Sequence, residues 1–235
     1  MKHIKDFLIS FICLVCFSCS LSASSESKVP NTSEYIDSIA DIRLMTYYLD
    51  MKRNHSSRTA DTALLLVDSL LHIYKDDNFK HAKYSMQKIL FLYMNNCVSD
   101  AVNYLNNDTC KIWEKLGGPY YKQVLEKRLL AMSAYSQNDK VAYKKYISSI
   151  LSLVEKYISE NEGEYSKFMK EDIKHQRGKF LITATEYIYY SYLVYGQEEA
   201  DKRIREYERL YHIDKATADW LKDLYDLDFM ETLSI

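Results

Sequence analysis

Tyr135-Ser-Gln-Asn-Asp-Lys-Val-Ala142 decides the fold of this 235-residue chain. Before it runs an apolar-periodic stretch holding Leu130 and Ala131, and after it another that continues through Tyr146. Between them a short polar run with Asn and Asp turns the chain, because these side chains hydrogen-bond local backbone and cap helix starts. The alanine lets two antiparallel helices approach closely where they meet, and the aromatic ring covers the turn. The same order recurs in Tyr74-Lys-Asp-Asp-Asn-Phe-Lys-His-Ala82 and in Tyr195-Gly-Gln-Glu-Glu-Ala200.

Beyond these junctions the helical period is nearly continuous from Ser33. Ile36, Ile39, Ala40, Ile42, Leu44 and Tyr47 fall mostly at three- and four-residue steps. The pattern predicts helices near 33–53, 58–76, 78–96, 98–116, 119–137, 139–160, 164–195, 197–212 and 215–229, with Arg177-Gly178-Lys179 a break within the longest. Gly117-Gly118 ahead of Pro119 joins a helix stop to a helix start, and Asp214 is placed to cap the helix that follows. Composition agrees. Five Gly and two Pro cannot supply the turns that sandwiches and barrels need every 8–12 residues. An all-β fold and a Rossmann-type fold with Gly-rich phosphate loops are both disfavoured, and the expected class is all-α.

The small–aromatic hairpin resembles the tetratricopeptide repeat. The likeness is carried by Leu130-Ala131 with Ala142-Tyr146, and by Asn78-Phe79 with Ala82. It implies a right-handed α-solenoid of degenerate tetratricopeptide-like hairpins over a single domain, 33–235. Ala82, Ala142 and Ala200 recur at close to 60 residues, which parses as three triplets after a capping first helix. The alternative is a non-repeating helical bundle. In either, the three alanines are expected at buried helix contacts.

Residues 1–18 read as an address. A basic start at Lys2 and Lys5 leads into an apolar run from Phe7 to Phe17 that is broken by Ser10. Its length is that of a signal-peptide core, about half of the roughly 20 residues needed to span a bilayer. The run ends Ser18-Cys19, a small residue followed by Cys, and this end resembles the lipobox of bacterial envelope lipoproteins. The resemblance implies cleavage before Cys19 and lipid on its sulfur and amino group. Residues 19–32 are then a tether reaching up to about 5 nm. With no acidic run after Cys19, a periplasm-facing anchor in the outer membrane is expected. Cleaved secretion and an uncleaved single anchor are the alternatives. Of the cysteines left, Cys97 and Cys110 on one helix stand about 20 Å apart, beyond disulfide reach. They pair only if the chain breaks near Asn106-Asn107-Asp108; free thiols are the expectation.

Catalytic and metal motifs are missing from the sequence: no His-Glu-x-x-His, P-loop, Gly-x-Ser-x-Gly or GxGxxG. His72 and His81 flank one turn but have no third ligand beside them, and Glu171-Asp172 and Glu198-Glu199 are neighbours that diverge on a helix. Neither an enzyme, a metal nor a cofactor is expected. A triad assembled only by the fold leaves no trace in sequence, so a hydrolase stays open as a third class. Lys+Arg 31 against Asp+Glu 33 gives a net charge of −2, which offers no excess of cations to a nucleic acid.

Tyrosine is the anomaly, at 22 residues against 8 Phe and 2 Trp. Tyr187, Tyr189, Tyr190, Tyr192 and Tyr195 crowd one helix nearly all round, so that helix must be packed on several sides. Core packing accounts for such rings. The functional alternative is a concave groove lined by Tyr189, Tyr192 and Tyr195, with Tyr143 and Tyr146 extending it. Together these readings describe a lipid-anchored scaffold for an envelope protein or peptide. A glycan-binding accessory lipoprotein of a polysaccharide-uptake system is the other reading; such proteins are about twice this length and carry binding loops that this chain lacks.

Overall fold

The computed structural model describes residues 32–54, 56–107, 119–174 and 179–230. The leader, Cys19, most of the tether, Cys110 and Gly117-Gly118 lie outside them. Among the described residues there are ten α-helices, short 3-10 pieces after the last of them and no strand, so the all-α class holds. The helices are α1 Thr32–Asn54, α2 Ser57–Ile73, α3 Asn78–Met94, α4 Val98–Asn107, α5 Pro119–Ser136, α6 Lys140–Glu160, α7 Glu162–Lys174, α8 Lys179–Tyr195, α9 Gln197–Tyr211 and α10 Lys215–Lys222. A 3-10 turn, Asp223–Asp226, follows α10.

Local chemistry sets these boundaries. The Asp77 carboxylate accepts from Phe79 N and Lys80 N at 3.1 and 3.0 Å. Asp139 accepts from Ala142 N at 2.9 Å, and Asp214 from Thr217 N at 2.7 Å. Each satisfies backbone donors that a first helical turn leaves unpaired. With glycine scarce, the left-handed turn positions go to Asn96, Asn138 and His212, at φ 59, 56 and 53. Asparagine bears that conformation at little cost.

The expected 164–195 helix is two, α7 and α8, separated where Arg177-Gly178 predicts a break; residues 175–178 themselves are outside the description. Two expectations need correction. Helix 215–229 ends at Lys222, because Asp223, Asp226 and Asp228 place negative charge at a helix C-terminus, where the helix dipole opposes it. The chain instead tightens into the 3-10 turn and buries Leu224 and Phe229. The second correction concerns the alanines. Ala82 and Ala200 are buried at 4% and 0% exposure, whereas Ala142 is half-buried. Ala142 lies three residues past its cap, Ala200 four and Ala82 five, so their spacing is not one packing register. Ile147, Ile150, Leu151 and Val154 form the buried face of α6 instead.

The helices gather into two compact units. In the first, α2 packs on α1 and α3, and α3 on α4, around Leu44, Met51, Val67, Leu70, Tyr84 and Phe91. In the second, α5 packs on α6, and α8 on α6, α7, α9 and the 3-10 turn. Thus α8 is held on several sides, as its all-round tyrosines require.

Candidate functional site

In the second unit α8 is fixed first by a buried polar junction with α5. Arg128 donates from Nη2 to Glu186 Oε1 at 2.9 Å and from Nε to the Tyr190 hydroxyl at 2.8 Å. Tyr120 donates to Glu186 Oε2 at 2.8 Å, and its ring stacks on Tyr157 with centroids 4.2 Å apart. Burial pushes the Glu186 carboxyl up from its ordinary range, against the opposing pull of Arg128. Both carboxylate oxygens are engaged, so the junction positions helices rather than offering a free acid or base. Because Tyr120 and Arg128 meet Glu186 and Tyr190 in increasing order, α5 and α8 run parallel, and their C-terminal ends lie together.

At that end the chain's own C-terminal segment lies on the tyrosines of α8. Tyr225 stacks on Tyr192 with centroids 4.6 Å apart and planes at 22°, and its hydroxyl donates to Asp201 at 3.0 Å. The Tyr189 hydroxyl reaches the Leu227 carbonyl at 3.4 Å, a weak bond. Phe229 meets Tyr143 edge-on at 5.3 Å and Tyr135 at 6.3 Å. Burial, then Tyr135, Tyr190 and the Asp228 carboxylate, push the Tyr143 phenol up to about 12.

Past the segment α8 ends in the open. Tyr195 is 59% exposed and lines a cleft of about 580 Å³ with Glu198, Glu199, Lys202, Arg203 and Arg205. Gly196, at φ 90, makes the turn into α9 and provides no side-chain cap. Arg203 forms the floor. It is 8% exposed, its guanidinium lies 4.2 Å from the Tyr187 ring centroid and 5.9 Å from that of Tyr195, and both Nη atoms donate to Glu155 Oε1 at 3.3 Å. Its Nε is buried with no hydrogen-bond acceptor in range; Glu199 Oε1 is 3.6 Å away. The Arg205 charge also bears on Tyr225, so cleft and segment adjoin.

Of the five sequence-predicted groove residues, Tyr195 alone is exposed. Tyr189 is buried, Tyr192 is half-buried beneath Tyr225, and Tyr143 and Tyr146 are half-buried on α6. Tyr189 and Tyr143 come together near Asp228, and Tyr192 and Tyr195 occupy successive turns. Sequence reasoning missed Arg203 and the segment Leu224–Phe229. Its signal was there: Tyr225, Leu227 and Phe229 alternate with exposed Asp226 and Asp228, a pattern helical reading overlooks.

Elsewhere the first unit holds a half-buried charge cluster that the sequence reading also missed. Lys80 pairs with Asp37 and Lys83 with Asp41, while Tyr74 donates to Asp37. His72 is exposed, and His81 is half-buried beside Ser85. No cluster of three metal-binding side chains occurs among the described residues. Cys97 is a free, half-buried thiol, and no helix among the described residues is long and apolar enough to cross a membrane. The chain matches no protein-family model, no curated protein and no solved structure.

Proposed function

We propose that this protein is a lipid-anchored envelope protein whose helical body holds a peptide segment of another envelope protein. The anchor rests on Ser18-Cys19 at the end of a short apolar run, and two or more acyl chains make such attachment durable. The periplasmic face of the outer membrane is its proposed place. The right-handed solenoid of degenerate tetratricopeptide-like repeats is part of this proposal, supported by the antiparallel junctions α2–α3, α5–α6 and α8–α9 and by burial of Ala82 and Ala200, not of Ala142.

One observation carries the binding role: the Tyr195 ring stands open in a cleft edged by both signs of charge, beside a surface on which a peptide segment already lies. Rigid phenol rings give contact area at small entropic cost, and Glu198, Glu199, Lys202 and Arg205 supply partners for backbone and side-chain groups of a peptide. A photo-crosslinking residue at Tyr195 in cells should yield adducts with a protein of discrete mass, and one at exposed Leu210 should not. Identical adducts at both sites, or polysaccharide adducts at Tyr195, overturn the peptide reading. For the anchor, an alkyne fatty acid should label the wild type and not Cys19→Ser; equal labelling removes it.

A further inference from the structure

The C-terminal segment of the second unit lies past α10 over the tyrosines of α8 and α6, with Leu224 and Phe229 buried. From Asp223 to Met230 the sequence is Asp-Leu-Tyr-Asp-Leu-Asp-Phe-Met, with three carboxylates and no cation. Leu224 and Phe229 are buried and Tyr225 and Leu227 half-buried, while Asp223, Asp226 and Asp228 face water. Leu227 leaves the 3-10 turn in extended conformation. Two side-chain bonds tie the segment to α8 and α9: Tyr225 to Asp201, and the weak Tyr189 bond to Leu227. Ring contacts and the burial of Leu224 add to its hold.

The surface beneath is built for that chemistry. It offers Tyr192 to a ring, Tyr135 and Tyr143 to a second, and the Tyr189 hydroxyl to a carbonyl. Lys140 and Lys144 flank Tyr143 along α6, both exposed, and on α9 the Arg205 charge bears on Tyr225 while Asp201 accepts from its hydroxyl. The segment laid on this surface is acidic, and its two rings, Tyr225 and Phe229, stand four residues apart.

We infer that the Tyr143–Tyr189–Tyr192 surface is a binding site for acidic, aromatic peptide segments, now filled in cis by residues 223–230, and that a partner carrying such a segment binds by displacing them. This rests on the peptide-binding reading above and names what that site takes. The cis segment, tethered at high effective concentration, reduces the fraction of open surfaces, and apparent affinity falls by the same fraction.

The test uses the purified full chain and a labelled synthetic peptide of residues 223–230. Fluorescence anisotropy should show about tenfold tighter binding to Phe229→Ala than to the wild type, as the cis competitor is weakened. Adding Tyr192→Ala should remove that gain, and a peptide with its three Asp changed to Asn should bind more weakly at low salt. Equal binding to wild type and folded Phe229→Ala, or no binding to either, overturns the inference. Hydrogen exchange on the unaltered protein decides it if Phe229→Ala unfolds: the amides of Leu227 to Met230 should exchange at least about 100-fold faster than those of α8. Equal protection identifies the segment as core. Peptide binding without a cellular crosslink at Tyr195 sinks the envelope-partner proposal alone, and a crosslink without peptide binding sinks only this one.

Discussion

Replacing Glu186 with Gln tests what holds α8 in place. At the 2.9 Å separation of Arg128 and Glu186, Coulomb attraction at an effective dielectric near 20 is about 6 kcal/mol. Desolvating each ion costs several kcal/mol, so the intact pair contributes little net stability. Breaking it is different, because the Arg128 charge stays buried while its counter-charge disappears. Such losses run about 3–5 kcal/mol. The side chains keep 16% and 11% exposure, which favours the low end, and Gln still accepts one hydrogen bond. Glu186→Gln should therefore cost about 3 kcal/mol, read as a lowered urea midpoint with unchanged slope by far-UV circular dichroism. Removing Arg128 as well, as Arg128→Met/Glu186→Gln, should cost much less than the sum of the single changes, since no unpaired charge remains. A loss below about 1 kcal/mol for Glu186→Gln, or strict additivity in the cycle, refutes the argument.

Ala200→Leu should overpack the α8–α9 contact and lower stability by about 1–3 kcal/mol, whereas half-buried Ala142→Leu should change it by under about 1 kcal/mol; thermal melts compare the two directly. Asp77→Ala removes two bonds to the first turn of α3 and should cost about 1 kcal/mol by urea unfolding, with Asp77→Asn largely preserving the cap. Stability should also fall in alkali. Burial, then Asp37, pushes Tyr74 up to about 12, and burial first of all raises Tyr120, Tyr189 and Tyr190. Unfolded phenols release protons near pH 10, so the native state binds more protons above it. This contribution is complete below about pH 10 and is lost as pH rises through 12. Absorbance at 295 nm should show these phenols ionising together with loss of helix; a single smooth titration of every tyrosine near pH 10 in the folded protein contradicts it.

How much was legible varied with the range of the physics. Asp77, Asp139 and Asp214 announce helix starts because capping is settled within three residues, and the crowding of rings from Tyr187 to Tyr195 correctly demands packing on several sides. Ala142 misled because its resemblance to Ala82 and Ala200 is one of order, and burial depends on depth along the helix. Arg203 stands in sequence among Lys202, Arg205, Glu198 and Glu199, with nothing to mark it out; its burial depends on Tyr187 and on Glu155, 48 residues away. The covering of Tyr192 by Tyr225 was hidden for a similar reason. A short alternating run after a helix reads as more helix until something shows what it lies against.

The junction at Glu186 also bears on the order in which the second unit assembles. Nearly all its helix contacts join near neighbours along the chain, and such contacts form quickly because little loop entropy opposes them. Arg128 and Tyr120 meet Glu186 across 58 and 66 residues, so loop entropy leads us to expect their closure after α6 and α7 have folded between them. A bond made after the rate-limiting step leaves the folding rate alone and governs how fast the native state comes apart. The buried pair, nearly neutral at equilibrium, is then a latch: it sets the lifetime of the assembled tyrosine surface more than the speed of its making.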